Sequence, residues 1–310
     1  MARVLAVGPV FVDSIYAGLP CIPEAGQEVY GDRHLVTVGG FAITAIGLAR
    51  LGLSPVIVSA VGGDLFGRFV EERLQAEGVS TEGLVKLEQA TTSHSTAMVL
   101  AGDRRFVSYA GAYLSEVQLL ARWVERRGDA FRDVKSMHVD LVTDPAIIDY
   151  LDEAKRQGVM ISMTCGWPTV EAYRGKQVAL REMLQRADLL FCNEIEAVGL
   201  SGTDSVEEAM GFFREVGCHP VITLGAEGAV TLDEAGQVLH EKALAVELVD
   251  PTGAGDSFAV GFMTGVILGW PMAKALRLGV VCGSLSVTAL GGTEGFPKSL
   301  SEAVKHFSEE

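Results

Sequence analysis

In the last quarter of the chain, Asp250-Pro251-Thr252-Gly253-Ala254-Gly255-Asp256 runs straight into the apolar stretch Ser257-Phe258-Ala259-Val260-Gly261-Phe262-Met263. The pattern predicts a loop that feeds a helix. Small residues at Gly253, Ala254 and Gly255 let the backbone approach a ligand closely, and a helix starting there presents free N–H groups and its positive dipole end. Such a site attracts an anion. Asp256 stands out, because a carboxylate in the first turn repels a phosphate unless it has a chemical task. Taking a proton from an attacking hydroxyl is a task of that kind. For a lone G-x-G-D, a helix cap and a tight turn are the stronger reading.

The chain before the loop alternates between two periodicities. Short β-rich runs at Val4–Val7, Val56–Val61, Ser136–Asp140, Val159–Met163 and Asp188–Cys192 are followed by turns or by helical patterns such as Arg68–Glu77 and Pro145–Gly158. This predicts a mostly parallel sheet wrapped by helices. Thr92–Gly111 alternates instead and reads as a β-hairpin turning at Gly102-Asp103, while Pro220–Val230 reads as strand, Gly-rich turn, strand. A second apolar helix is expected from about Ala273 to Leu290. With 310 residues, 48% of them hydrophobic, the chain buries a large core as one large α/β domain or two smaller ones.

Charge and composition remove several function classes. Lys and Arg total 25 against 40 Asp and Glu, and the net charge of -15 argues against nucleic acid and against an anionic membrane surface. The five cysteines form no C-x-x-C pair, which argues against a disulfide framework or zinc site. The six histidines show no H-x-H or H-E-x-x-H spacing, and His138 reads as a core or strand histidine. Neither a Walker loop nor a G-x-G-x-x-G after a strand occurs. The first eight residues look like a buried strand and not a signal peptide, and the apolar region 258–290 is broken by Pro271, Lys274 and Arg277. A cytoplasmic enzyme is the expected class.

The heptad resembles the C-terminal signature of the PfkB/ribokinase family of carbohydrate kinases, D-T-x-G-A-G-D, with Pro251 in place of the commonest second residue. Further motifs follow in the family's order along nearly the whole chain. Val61, Gly62, Asp64 and Gly67 match V-G-x-D-x-x-G, where Asp64 reads first as a helix cap. Gly39-Gly40 resembles G-G-x-x-x-N with Thr44 at the asparagine position, and Asp13 matches the acid of G-x-x-N-x-D with Phe11 at its asparagine. Asn193 and Glu196 match N-x-x-E, and Thr223, Gly225 and Gly228 match T-x-G-x-x-G.

The resemblance implies a single ribokinase-like α/β domain over residues 1–310, with a small β lid inserted at about 14–36 and 91–111. The implied reaction transfers the ATP γ-phosphoryl group to a carbohydrate hydroxyl. Asp256 would be the base and the Gly253, Ala254 and Gly255 amides the anion hole. Asp13, Gly39, Gly40, Thr44, Ser95, Tyr109 and Gly111 would meet the sugar, although an exposed hairpin face explains Ser95, Tyr109 and Gly111 as well. Asn193, Thr223, Gly225 and Gly228 would hold the nucleotide, with Glu196 organising Mg2+ through water. An N-cap with acids in the first turn accounts equally for Asn193 and Glu196. Asp250 and Thr252, with carbonyls near Ser286, Ala289 and Gly291, would hold a monovalent cation such as K+, although such glycines end any helix. A homodimer through the lid strands is a further expectation. A nucleoside kinase of the same fold and a non-catalytic sugar sensor are the competing readings, because Thr44 and Phe11 replace two asparagines on the acceptor side.

Overall fold

A computed structural model describes residues 2–100 and 103–307. Among these residues the main sheet has nine strands. They are β1 (Arg3–Val7) and, after a second-sheet excursion of two strands, β2 (Val10–Ala17) and β3 (Arg33–Gly40), β4 (Ser54–Gly62) and β5 (Ser80–Leu87). The second sheet resumes with β6 (His94–Leu100) and β7 (Asp103–Tyr109), and β8 (Val134–Asp140), β9 (Met160–Thr164), β10 (Leu189–Asn193), β11 (His219–Thr223), β12 (Ala229–Leu232) and β13 (Val238–Glu241) complete the main one. Its order is β13-β12-β11-β10-β9-β8-β1-β4-β5, parallel from β11 to β5, with β12 and β13 joined antiparallel. The chain leaves β1 toward β4 on one side and returns as β8 on the other. That reversal opens a crevice above the carboxyl ends of β1 and β8, where open α/β sheets bind ligands.

Helices cover both faces, which is why the strands read as continuous apolar runs. α1 (Phe41–Arg50) and α2 (Leu65–Ala76) share one face with two helices that follow the heptad. The other face is covered by α3 (Glu116–Arg127), α4 (Ile148–Arg156), α5 (Trp167–Tyr173), α6 (Gln177–Leu184), α7 (Glu194–Ser201) and α8 (Val206–Val216). α9 (Ala254–Ile267) and α10 (Met272–Ser286) then pack against the strands from the α1 side, and α11 (Leu300–Lys305) closes the chain there. α10 ends four residues short of the expected Leu290, and Pro145–Ile147 is a 3-10 turn ahead of α4. Among the described residues no helix is long and apolar enough to cross a membrane, and all five cysteines are free.

The second sheet has the order β3-β2-β6-β7, with β2 and β6 parallel and the outer pairs antiparallel. β6 and β7 lie within 91–111, whereas β2 begins before 14 and β3 runs past 36, so each of these two strands straddles a bound of the 14–36 segment. The hairpin between β6 and β7 pairs Leu100 with Asp103, and Gly102 of the expected turn lies outside the described residues. Asp64 anchors the second sheet to the main body. Its carboxylate caps α2 by accepting the Gly67 amide at 2.8 Å, and it also accepts the Thr92 amide and hydroxyl at 2.9 and 2.6 Å. These bonds hold the Asp64 carboxyl below its usual range despite the opposing effect of burial. Replacing Asp64 with Ala removes a cap and two cross-segment bonds. Urea unfolding should register a loss of about 1–3 kcal/mol.

Candidate active site

The carboxyl ends of four neighbouring strands place polar side chains in register. Asp140 of β8 pairs with Thr164 of β9, Thr164 with Phe191 of β10, and Asn193, two residues beyond Phe191, pairs with Thr223 of β11. Above this row α9 begins. Gly253 is its N-cap residue, in the left-handed conformation with φ of 73°. A side chain there is strained and would press on Ile43 and Gly292, so glycine is required. No side chain caps this helix. The Ala254 amide donates to the Pro251 carbonyl at 3.3 Å. Among the described residues the Gly253 and Gly255 amides have no such backbone acceptor, which leaves these two of the three expected donors open to a ligand. A Cβ on Gly255 would meet nothing within 4 Å, so this part of the turn faces open space.

Asp250 shapes that turn. Its carboxylate is fully buried and accepts the Thr252 amide and hydroxyl at 3.0 and 2.7 Å on one oxygen and the Gly291 amide at 2.8 Å on the other. The Val249 and Asp250 amides both donate to the Val287 carbonyl, and Ser286 Oγ donates to the Gly283 carbonyl. Asp250, Thr252 and Gly291, expected beside a monovalent cation together with Ser286 and Ala289, are thus joined to one another by hydrogen bonds. Among the described residues no group of three or more His, Cys, Asp or Glu side chains is arranged to hold a metal.

Asp256 lies in the first turn of α9 and lines a cavity of about 190 Å³ together with Thr164, Cys165, Asn193, Glu196 and Thr223. Withdrawal from water pushes its carboxyl up to about 6, while its own backbone N–H pulls the other way. Asn193 and Glu196 form a reciprocal cap at the start of α7, each side chain accepting the other's amide at 2.9 Å. The cap and the cleft position coexist. Glu196 Oε2 accepts the Asn193 amide and faces Cys165 Sγ at 3.9 Å, and desolvation raises its pKa. A hydrated Mg2+ needs few protein oxygens, and the side-chain oxygens of Asn193, Glu196 and Asp256 in this cavity fit one. Thr223, Gly255 and Phe258 also line a larger cavity of about 580 Å³, which contains Gly225, Gly228 and the run Ala243–Val246. Of the four residues expected on the nucleotide side, Asn193 lines the smaller cavity, Gly225 and Gly228 the larger, and Thr223 both.

Asp13 projects from the face of the second sheet that carries Thr37, Ser95 and Ser108. Strand pairing aligns these four as one row, Thr37–Asp13–Ser95–Ser108, with a 2.8 Å bond between the two serine hydroxyls. A Cβ on Gly39 would sit 2.1 Å from Asp13 Oδ2, so that glycine makes room for the carboxylate. Burial first, and the Asp250 charge second, push Asp13 up to about 6. The Thr37 and Thr44 hydroxyls are buried without a protein partner, as expected of groups kept for a ligand or water. Tyr109 falls elsewhere. It pairs with His94, lies on the opposite face from Ser108 and packs on the His94 ring at 5.4 Å. Gly40 is the N-cap of α1, and the Gly111 amide donates to Ser93 Oγ. Thr37 and Ser108 escaped sequence reasoning because strand pairing alone brings them to Asp13.

Two further acids are coupled electrostatically to Asp256 or to each other. Asp140 is pushed up to about 8 by desolvation, then by the charges of Glu116 and Asp256. Glu116, the first residue of α3, is only 4% exposed, and desolvation raises its pKa too. His138 is the core residue its strand position suggested. It is packed between the Phe41 and Phe191 rings, bonded to Ser162 Oγ at 2.9 Å and pulled down to about 3 by burial.

Residues 1–299 match the pattern of the pfkB family carbohydrate kinases. The chain belongs to this family. A ribokinase from Mus musculus is 30% identical over 96% of this chain and 92% of its own. A nucleoside kinase from Methanothermobacter thermautotrophicus is 30% identical over 98% and 95%. An E. coli structure named as a candidate ribokinase II, in complex with ATP and Mg2+, superposes with a TM-score of 0.82 at 26% identity, covering 100% of both chains. Members of the pfkB family are ATP-dependent phosphotransferases, and the fold of this chain is theirs.

The raised carboxyls carry a stability signature. A group whose pKa is higher folded than unfolded favours the folded state at low pH, and that contribution is lost as pH rises through the folded value. Asp140→Asn should therefore stabilise the protein at pH 8 by on the order of 2 kcal/mol, with a smaller gain at pH 5. Urea midpoints of both proteins at the two pH values test this. An advantage that does not grow with pH contradicts the assignment.

Proposed function

We propose that this protein transfers the γ-phosphoryl group of ATP to a hydroxyl of a carbohydrate, with Asp256 as general base. The observation that carries the reading is that the two cavities share Thr223, Gly255 and Phe258 at the start of α9, with Asp256 lining the smaller one, while the Asp13 row lies near enough for Asp13 to feel the Asp250 charge. ATP would lie along it with its triphosphate at the start of α9. The two free amides and the helix dipole would stabilise charge developing on the transferred group. Asn193 and Glu196 would hold Mg2+ through water, and the ion would neutralise phosphate charge.

On the acceptor side, Asp13 and the hydroxyls of Thr37, Thr44, Ser95 and Ser108 offer the acceptors and donors that a polyol matches. The second sheet would act as a lid, excluding water from the reacting atoms. Asp256 would take the proton of the attacking hydroxyl. A value near 6 leaves it mainly ionised at neutral pH yet more basic than an ordinary carboxylate, which suits that task. A nucleoside acceptor is the second reading. It is favoured by the archaeal nucleoside kinase relative and by Phe11, whose ring lies two residues before Asp13 on the same face of β2.

Release of ADP from Mg-ATP, measured against sugars, sugar acids and nucleosides, tests the reading and separates the acceptors. Asp256→Asn should lower kcat by about 10²-fold or more with ATP affinity nearly intact. Near-normal turnover in this variant would remove Asp256 from the role of base.

Two carboxylates must be ionised in the free enzyme, one to bind the acceptor and one to activate it. The logarithm of kcat/KM for the acceptor should fall below about pH 6 with a slope approaching two. In Asp13→Asn the slope should drop to one on a lower plateau, and an unchanged slope would show that Asp13 does not titrate in acceptor binding.

A further inference from the structure

The large cavity at the far end of the cleft has the size of a nucleoside site, about 580 Å³. Its walls are apolar and small. Val280, Gly283 and Val287 come from α10 and its C-terminal end, Phe258 comes from α9, and Val246 and Leu248 come from the irregular run after β13. Val246 and Leu248 are 36% and 52% exposed, an arrangement that leaves apolar surface open for a flat ring to cover.

Only two lining side chains carry hydrogen-bonding atoms, Thr223 and Ser284. Thr223 sits where the large cavity joins the catalytic one, and so belongs to the phosphate end. Ser284 Oγ accepts the Leu244 amide at 3.1 Å and ties the apolar run to α10. It keeps one rotating O–H, which serves a ring nitrogen or a ring carbonyl equally. Backbone groups at Ala245–Leu248 lie in an exposed segment, so any bond from them to a base edge replaces a bond to water.

We infer that the phosphoryl donor is selected by its triphosphate and not by its base, so guanine, hypoxanthine and pyrimidine nucleoside triphosphates serve nearly as well as ATP. The inference rests on the kinase reading above for its chemistry and on the cavity for its selectivity. A site that buries a dedicated polar partner for one base rejects the others by about 10⁴-fold, because that partner is left unpaired. This cavity has no such group among its lining side chains. The one or two solvent-competed bonds available to the backbone discriminate by about tenfold.

The test measures two quantities on the full chain. Calorimetric Kd values for the Mg2+ complexes of the non-hydrolysable analogues AMP-PNP and GMP-PNP are compared without any acceptor. kcat/KM for ATP, GTP, ITP, CTP and UTP is then compared with an active acceptor, in wild type and in Ser284→Ala. The expected result is a spread within about tenfold in both measurements, with base ratios unmoved by Ser284→Ala. A spread beyond about tenfold in favour of the adenine nucleotide overturns the inference, as does binding of neither analogue. Equal binding without phosphoryl transfer to any acceptor would uphold the base-indifferent pocket while removing the kinase reading.

Discussion

The buried carboxylate of Asp250 is the tie on which the site depends. A charge without solvent access is tolerated only when donors surround it, and Asp250 has three, from Thr252 twice and from Gly291. The two Thr252 bonds fold the chain sharply back, delivering Gly253 to the left-handed conformation that starts α9. The Gly291 bond fastens this turn to the connection between α10 and α11. Gly291 in turn lies under the second sheet, where a Cβ would touch Leu35 and Thr37. One carboxylate thereby couples three parts of the structure, namely the start of α9, the helix α10 that walls the large cavity and the second sheet.

Asp13, Asp140 and Asp256 are each held above the ordinary carboxylate range, chiefly by loss of water. Their negative charges reinforce the effect, since Asp140 feels Asp256 and Asp13 feels Asp250. A crevice that concentrates acids in this way is poor packing. It is also an environment in which a carboxylate becomes a better base and in which incoming hydroxyls find acceptors. The net charge of the chain is -15, so the anion-attracting feature of the cleft is local, the helix start with its two open amides.

The alternation of apolar β runs with helical patterns was enough to place most of the main-sheet strands, because each period is a property of a few consecutive residues. The heptad was legible for the same reason, since small residues, an acid and a following apolar helix are neighbours in sequence. Helix limits were read less well. α10 ends before the apolar pattern does, since Val287 turns to accept the Val249 and Asp250 amides. The second sheet was legible as strands but not as a surface. Tyr109, for which the sequence leaves sugar contact and an exposed hairpin face both open, lies on the face opposite Ser108, because the face of a hairpin residue depends on register, and one step along the strand reverses it.

By itself the sequence determined the class of layers, the small-residue and acidic make-up of one loop, and the helix start that follows it. These follow from short-range periodicity and from the conformational limits of particular residues. Only the tertiary structure decided that Thr37 and Ser108 join Asp13, that Glu116 reaches the crevice of Asp140, and that Asp250 spends its charge on Thr252 and Gly291. Apart from the local Asp250–Thr252 bonds, each of those associations joins residues two dozen or more apart and depends on how separate segments pack together. Strand order and register are set by the packing of the whole chain, and no local pattern encodes them.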